Sequence, residues 1–182
     1  MKTLSLHLFE IVSNSVFYGA NNIEIIVKDS KKENIYLFEV KDNGCGIKKE
    51  NIEKVTDAFF TSRTTRKVGL GLALTKMKAE QCGGNLEIES TYGYGTKVKF
   101  WFTHNHIDRP PLGEIEEVIV LTATMKENIN LNYKHTTDKG EYIFDTKEIR
   151  KTLDEVPINN IKITKALKEM IKTNLEEILV NE

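Results

Sequence analysis

The 182-residue sequence predicts an α/β fold: a two-layer α/β sandwich with a small accessory α/β region at its C-terminal end. Three observations carry this. Apolar residues recur at helical spacing in some segments and alternate in others. The first strand-like segments follow one another through short polar turns, so they pair antiparallel. A sheet built that way needs cover on one face, and the helical segments supply it.

The elements can be justified in order. Leu4, Leu8, Ile11, Val12 and Val16 recur at helical spacing, so residues 3–18 read as an amphipathic helix closed by Gly19. Residues 22–29 and 34–42 read as strands joined by the polar turn Asp29-Ser30-Lys31-Lys32-Glu33-Asn34. A glycine turn at 43–46 ends the second strand. Residues 49–57 are expected to be helical, 58–70 to be a basic loop, and 71–82 a helix stopped by Gly83-Gly84. Residues 85–91 and 96–103 alternate as strands around Gly93-Tyr94-Gly95. Pro110-Pro111 cannot continue a strand interior and marks a boundary or a tight corner. Beyond it, 114–127 read as a helix, 129–136 and 140–145 as a hairpin, and 146–154 and 160–180 as helices. Two regions are therefore expected: 1–106, which carries the motifs below, and 107–182, an accessory region.

Composition narrows the function classes. Hydrophobic residues at 40% and charged residues at 29% are an ordinary globular balance. The net charge of −1 gives no support to a nucleic-acid partner. Residues 1–106 carry 15 Lys+Arg against 12 Asp+Glu, a net of +3, as suits a phosphate binder; the remainder carries 11 against 15, a net of −4. No run approaches the roughly 20 apolar residues of a membrane span, and Glu10 interrupts the N-terminal apolar stretch too soon for a signal peptide. Cys45 and Cys82 are far apart and do not form a disulfide framework. A cytoplasmic protein without a membrane or nucleic-acid partner is expected.

The chemistry lies in a series of short motifs. Asp42 ends a strand and is followed by Asn43-Gly44-Cys45-Gly46. A carboxylate there can accept a hydrogen bond from an exocyclic amine, and the glycines let backbone approach a planar ring. Adenine offers that amine; guanine would present a carbonyl. Asp-Asn-Gly is also ordinary turn chemistry. Glu10 and Asn14 lie one turn apart on the first helix. An Asn oxygen suits Mg²⁺, and a Glu can orient or deprotonate a water. The same pair could be a solvated polar stripe. Lys67-Val68-Gly69-Leu70-Gly71-Leu72 runs from the basic loop into a helix, whose N-terminal amides can receive an anion. Arg63, Arg66 and Lys67 stand just before it, placed to answer a triphosphate's charge.

In this joint order the motifs resemble those of the GHKL superfamily of Bergerat-fold ATPases, nearest to histidine-kinase catalytic domains. The resemblance covers roughly residues 3–103. Glu10-x-x-x-Asn14 resembles the N box, Asp42-x-Gly44-x-Gly46 the first glycine box, and Phe59-Phe60-Thr61-Ser62-Arg63 the phenylalanine box. Gly69-Leu70-Gly71-Leu72 resembles the second glycine box and Gly95-Thr96 the third. The resemblance implies ATP and Mg²⁺ as cofactors. It implies that Asp42 holds the adenine amine, with Gly44, Gly46 and Thr96 beside the ring. Asn14 would reach Mg²⁺; Gly69, Leu70 and Gly71 would fold over the phosphates, with Arg63 and Lys67 alongside. Glu10 matches the general base of the hydrolysing members.

The expected function is a Mg²⁺-dependent regulatory ATPase, or a histidine/serine kinase-like phosphotransferase acting on a separate protein. The alternative is a nucleotide-dependent binding module that acts on a partner by lid closure alone. With the N box already at residue 10, a sensor, a membrane anchor or a dimerisation hairpin is not expected ahead of it. His7 reads as a packing or capping residue rather than a phospho-acceptor, His104 and His106 are too few for a metal site, and Cys45 reads as a buried, inert thiol. The His106-to-Gly113 segment and residues 144–150 resemble small stand-alone ATP-binding proteins of anaerobic bacteria. Those are often encoded near iron-hydrogenase or related redox genes, which implies a redox-enzyme-associated partner.

Overall fold

The structure, a computed structural model, describes residues 1–57 and 70–179, with Leu70 described by its backbone alone. One six-stranded sheet runs through it. The elements are α1 (Leu4–Phe17), β1 (Asn22–Ser30), β2 (Ile35–Asp42), α2 (Leu70–Gln81), β3 (Asn85–Thr91) and β4 (Gly95–Thr103), then α3 (Ile115–Thr124), β5 (Asn130–Thr137), β6 (Glu141–Asp145), α4 (Thr146–Leu153) and α5 (Ile161–Ile178). The strand order is β3-β4-β2-β1-β5-β6. All neighbours are antiparallel except β1 and β5, which run parallel.

The alternation read from the sequence sets which face is buried. Ile25 of β1 lies opposite Val40 of β2 and beside Tyr133 of β5; Val27 lies opposite Phe38 and beside His135. Phe38 in turn meets Phe100, and Tyr133 meets Phe144. These residues are all buried. The opposite face carries Glu24, Lys28, Glu39, Lys41, Lys97 and Lys99, with cross-strand pairs such as Lys97–Glu89 at 3.3 Å and Lys134–Glu141 at 2.7 Å. Four helices cover the apolar face in the sequence α2, α1, α3, α5, which follows the strand order beneath them.

The expected helix over 49–57 is instead two 3-10 turns, Lys49–Asn51 and Lys54–Thr56. Neither turn buries a residue. A segment this short forms a stable α-helix only when packing supports it. The expected loop over 58–70 lies outside the described residues, apart from Leu70, which opens α2.

Residues 107–182 are joined to this sheet by backbone hydrogen bonds and also hold both ends of α1. The amides of Leu4 and Ser5 donate to the carbonyls of Pro111 and Leu112, each at 2.9 Å. The Pro-Pro corner thus satisfies two first-turn amides that the helix itself leaves free. At the other end Lys126 Nζ donates to Val16 O at 2.9 Å. A cation there also suits the helix C-terminus.

Two histidines are buried in the core as neutral bases. His135 is fully buried, with Nδ1 2.7 Å from the Tyr133 hydroxyl. Burial lowers its pKa from 6.5 to about 4. Burial also lowers His7 to about 4, helped by the N-terminal ammonium and Lys78. The unfolded chain takes up these protons near pH 6.5 and the folded chain only near 4. Stability is therefore full above pH 6.5 and falls as the pH drops from 6.5 towards 4. The His135 shift alone corresponds to about 3 kcal/mol below both values. Urea titrations across this range are expected to show that slope, and His135→Asn to flatten it. Part of the slope remains in the variant through His7; a slope wholly unchanged would show that His135 titrates alike in the folded and unfolded chain.

Candidate functional site

Asp42 closes β2 at the end of the sheet where β1 and β4 begin, opposite Ile23 and Thr96. Its carboxylate is held from two sides. Ser15 Oγ donates to Oδ2 at 2.6 Å, and the Gly44 amide donates to Oδ1 at 2.8 Å. Each oxygen keeps a further lone pair with which to accept. Ser15 is a site residue that sequence reasoning missed. Its signal was its place directly after Asn14 on the same helix.

The loop after Asp42 is tied down on three sides. Asn43 Oδ1 accepts from the amides of Asn21 and Asn22 at 3.0 and 2.9 Å, and Asn43 Nδ2 donates to Asn21 Oδ1 at 2.8 Å. The amide of Cys45 donates to Tyr18 O at 3.0 Å, and its carbonyl accepts from the Gly93 amide at 2.8 Å. The Ile47 amide donates to Ser90 Oγ at 2.8 Å. Asn43 and Ser90 were also missed, because a turn asparagine and a strand serine carry no distinctive pattern. Cys45 itself is exposed, which corrects the expectation of a buried thiol. Its backbone bonds at both N–H and C=O point the side chain outward.

Two glycines are required by close backbone approach. Gly46 has φ +68, and a Cβ there would lie 2.2 Å from Thr91 O. Gly95 has φ +137, and a Cβ there would lie 2.0 Å from Asp42 O. The hairpin at 91–95 therefore packs directly on the backbone of the Asp42 loop. Thr96, next in chain, has Oγ1 2.9 Å from Ser90 Oγ.

Glu10 and Asn14 lie half-buried on α1, one turn apart. Glu10 packs against the first turn of α2: a Cβ at Gly71 would lie 3.2 Å from Glu10 Oε2. The same turn is clasped by Thr75, whose hydroxyl donates to Gly71 O at 2.9 Å, and His7 Nδ1 lies 2.9 Å from that hydroxyl. His7 is buried among these groups, as its packing role requires. His104 Nε2 lies 2.7 Å from Asp29 Oδ1 at the far end of β1, away from the site.

The fold thus joins Ser15, beside Asn14, to Asp42; it sets Thr96 across from Asp42; and it places Glu10 against Gly71. Gly44 and Gly46 sit in the loop these residues surround. Arg63, Lys67, Gly69 and the phenylalanine box at 59–63 lie outside the described residues, as does the side chain of Leu70. Among the described residues no group of three or more His, Cys, Asp or Glu side chains could hold a metal. No helix among them is long and apolar enough to cross a membrane. Chemically, the arrangement offers an anchored carboxylate acceptor, a backbone loop free of side chains at 44 and 46, and a second carboxylate at a helix N-terminus.

Residues 2–106 match the family of histidine kinase-, DNA gyrase B- and HSP90-like ATPases, HATPase_c. The chain belongs to that family; the matched residues carry α1 to β4 of the mixed α/β architecture, and β5 and β6 of the six-stranded sheet lie beyond the match. It therefore carries an ATP-binding domain of the histidine-kinase type. Sensor histidine kinase WalK of Bacillus subtilis (strain 168) is 34% identical over 100 residues, covering 51% of this chain and 16% of that protein. Sensor histidine kinase YxdK of the same strain is 32% identical over 111 residues, covering 56% of this chain and 33% of that protein. The match thus spans a third or less of either relative's own length. Among solved structures, full-length ShkA in complex with AMPPNP is similar with a TM-score of 0.46 and 22% identity, over 54% of this chain and 20% of that one.

Gly95→Ala tests the packing of the hairpin on Asp42. The added methyl meets a carbonyl in a backbone conformation that alanine disfavours. A loss of about 2–4 kcal/mol is expected on urea unfolding, with amide shifts centred on 42–46 and 91–96. A variant as stable as the parent would show that the two loops are not in contact.

Proposed function

We propose that this chain binds Mg²⁺-ATP at the α1–β2–β4 end of the sheet and acts as a regulatory ATPase or protein kinase on a separate protein. The observation that carries the reading is the pair of carboxylates: Asp42, anchored by two donors, and Glu10, packed on the first turn of α2. The donor set fits the nucleotide. Asp42 accepts the adenine amine, the backbone at Gly44 and Gly46 borders the ring, and Thr96 lies beside it. Asn14 offers a hard carboxamide oxygen to Mg²⁺. The first turn of α2, at Leu70 and Gly71, receives phosphate at amides unused within the helix, and Gly69, next before it in the chain, is assigned to the same role. Arg63 and Lys67 are assigned, from their order in the sequence, to answer the charge of the phosphates.

When bound, ATP would supply a phosphoanhydride whose β–γ bond breaks as the γ-phosphoryl group goes to water or to a side chain of the partner, with ADP as the leaving group. Glu10 takes the proton of the attacking group, and its contact with Gly71 fixes the carboxylate where α2 begins. The compartment is proposed to be cytoplasmic and the partner to be a redox-associated protein. Following radiolabelled γ-phosphate with a co-purified partner separates the outcomes. Label on the partner means a kinase and free phosphate means an ATPase. Neither, with ATP bound, means that the nucleotide acts by binding alone and overturns the catalytic half of the reading.

Asp42→Asn turns a charged acceptor into an amide and is expected to weaken adenine-nucleotide binding. A lost charge-assisted hydrogen bond costs roughly 1.5–3 kcal/mol, or about one to two decades in Kd. Calorimetry on the folded variant decides it; unchanged affinity removes Asp42 from the site.

Glu10→Gln and Asn14→Ala are expected to separate turnover from metal dependence. Gln keeps the size of Glu but takes no proton at neutral pH, so turnover falls about 10²–10⁴-fold while Mg²⁺-ATP affinity stays near the parent's. Asn14→Ala removes the difference in ATP affinity between Mg²⁺ and EDTA. Collapse of binding in Glu10→Gln, or a full metal effect in Asn14→Ala, would sink the respective role.

A further inference from the structure

The sheet has two edges, each with two carboxylates, Glu87 and Glu89 on β3 and Glu141 and Asp145 on β6, and they differ in the apolar surface between those charges. β3 carries Glu87 and Glu89 on its solvent side, and charges on an edge discourage pairing with another chain. β6 reads Glu141-Tyr142-Ile143-Phe144-Asp145, with three apolar or aromatic residues in succession and neither proline nor lysine. Among the described residues it is the last strand in the sheet order and is bonded only to β5. A cavity of about 360 Å³ runs beside it, lined by Tyr142, Ile143 and Phe144, by Glu148 and Ile149 of α4, and by Met170 of α5. Successive strand residues point to opposite faces. Because Ile143 and Phe144 both line the cavity, it follows the strand edge rather than either face. Ile143 is 52% exposed and Met170 36%, so apolar surface is open to solvent on both sides of the groove.

We infer that the β6 edge is a docking site for an extended segment of a partner protein, apolar at alternate positions and ending in lysine or arginine. Main-chain hydrogen bonds to β6 provide affinity, and the groove between α4 and α5 receives alternate side chains. Charge fixes the occupant. The charged groups lining the groove are carboxylates, Asp145 and Glu148. Asp145 is occupied by the Lys147 amide at 2.7 Å and the Asn132 amide group at 3.1 Å. Glu148 is paired only with Lys151, at 2.7 Å, with both side chains some 70% exposed. Such a surface pair contributes little, so a partner cation can replace Lys151. A second copy of this chain fits poorly. Antiparallel pairing of two β6 strands about Ile143 sets Glu141 against Asp145 twice, and like charges directly opposite are destabilising. The edge lies three strands from β2, roughly 14 Å across the sheet. A docked segment therefore reaches the same domain without entering the nucleotide site. The inference deepens the proposed action on a separate protein and rests on that reading for the docking's purpose, while docking itself needs no ATP.

The test uses the full chain and an array of blocked, fluorescent nonapeptides with lysine at both ends. Their central positions alternate Val, Ile or Phe with Thr. Saturable binding of array members at roughly 10–100 µM is expected by anisotropy. N-methylation of alternate peptide amides should abolish it, and glutamate ends should weaken it about tenfold. Ile143→Lys and Met170→Lys, both at exposed positions, should each weaken it about tenfold while ATP affinity stays within twofold. The inference is overturned if no member binds, if N-methylated or acidic peptides bind equally, or if both variants bind normally. It is also overturned if sedimentation shows a dimer that Ile143→Lys dissociates, since the edge then belongs to a second copy. ATP titration of the same samples reports separately on the nucleotide reading.

Discussion

Ile25 of β1 lies between Val40 of β2 and Tyr133 of β5, and with Ile23 and Val27 it forms a continuous buried face that must be kept from water. The other face of the sheet is charged, so cover is needed on one side only. The row α2, α1, α3, α5 supplies it. Functional groups cannot sit under that layer without losing solvent contact. The candidate site residues lie instead at its margin: Asp42 at the end of β2, Gly71 in the first turn of α2, and Glu10 and Asn14 half-buried along α1. Burial of His7 and His135 follows from the same constraint. Each lies in the covered layer and is held neutral there.

Asp42 is the point at which three elements are made to agree. Its side chain is bonded to α1 through Ser15, its own loop folds back through the Gly44 amide, and its carbonyl is covered by Gly95 of β4. A carboxylate held this way keeps its orientation before any ligand arrives, which lowers the ordering cost of binding. Asn43, next in chain, fastens the loop to the start of β1. From there side-chain bonds continue through Asn22 to Asn130 at 2.9 Å and from Asn130 to Arg150 of α4 at 3.1 Å. The glycine loop and the C-terminal region are thus linked by hydrogen bonds as well as by the sheet.

The C-terminal region also sets the frame of α1, the helix that carries Glu10 and Asn14. Pro111 and Leu112 receive its first amides, and Lys126 meets its last turn. β5 adds to the sheet beside β1 and leaves β6 as the new edge. The helix that presents the polar site residues is therefore positioned from both halves of the chain.

Much of this was legible in the sequence because it is local. Helical spacing in Leu4-to-Val16 and alternation in 22–29, 34–42, 85–91 and 96–103 are properties of short segments, and they fix which side of each element is apolar. The motif residues Glu10, Asn14, Asp42, Gly71 and Thr96 could be marked by type and order alone. The segment at 49–57 could not be read correctly, since its helix-like composition buries no residue in the fold and it forms 3-10 turns. Cys45 could not either, because its exposure depends on backbone bonds to Tyr18 and Gly93, which are distant in sequence. Only the tertiary structure decided that β5 joins β1 in parallel, that Ser15 and Ser90 brace the site, and that Gly95 covers the backbone of Asp42. The physical reason is one of range. Periodicity and turn chemistry are written within about ten residues of a position, whereas strand partners and the donors to a carboxylate are chosen by which surfaces close over one core.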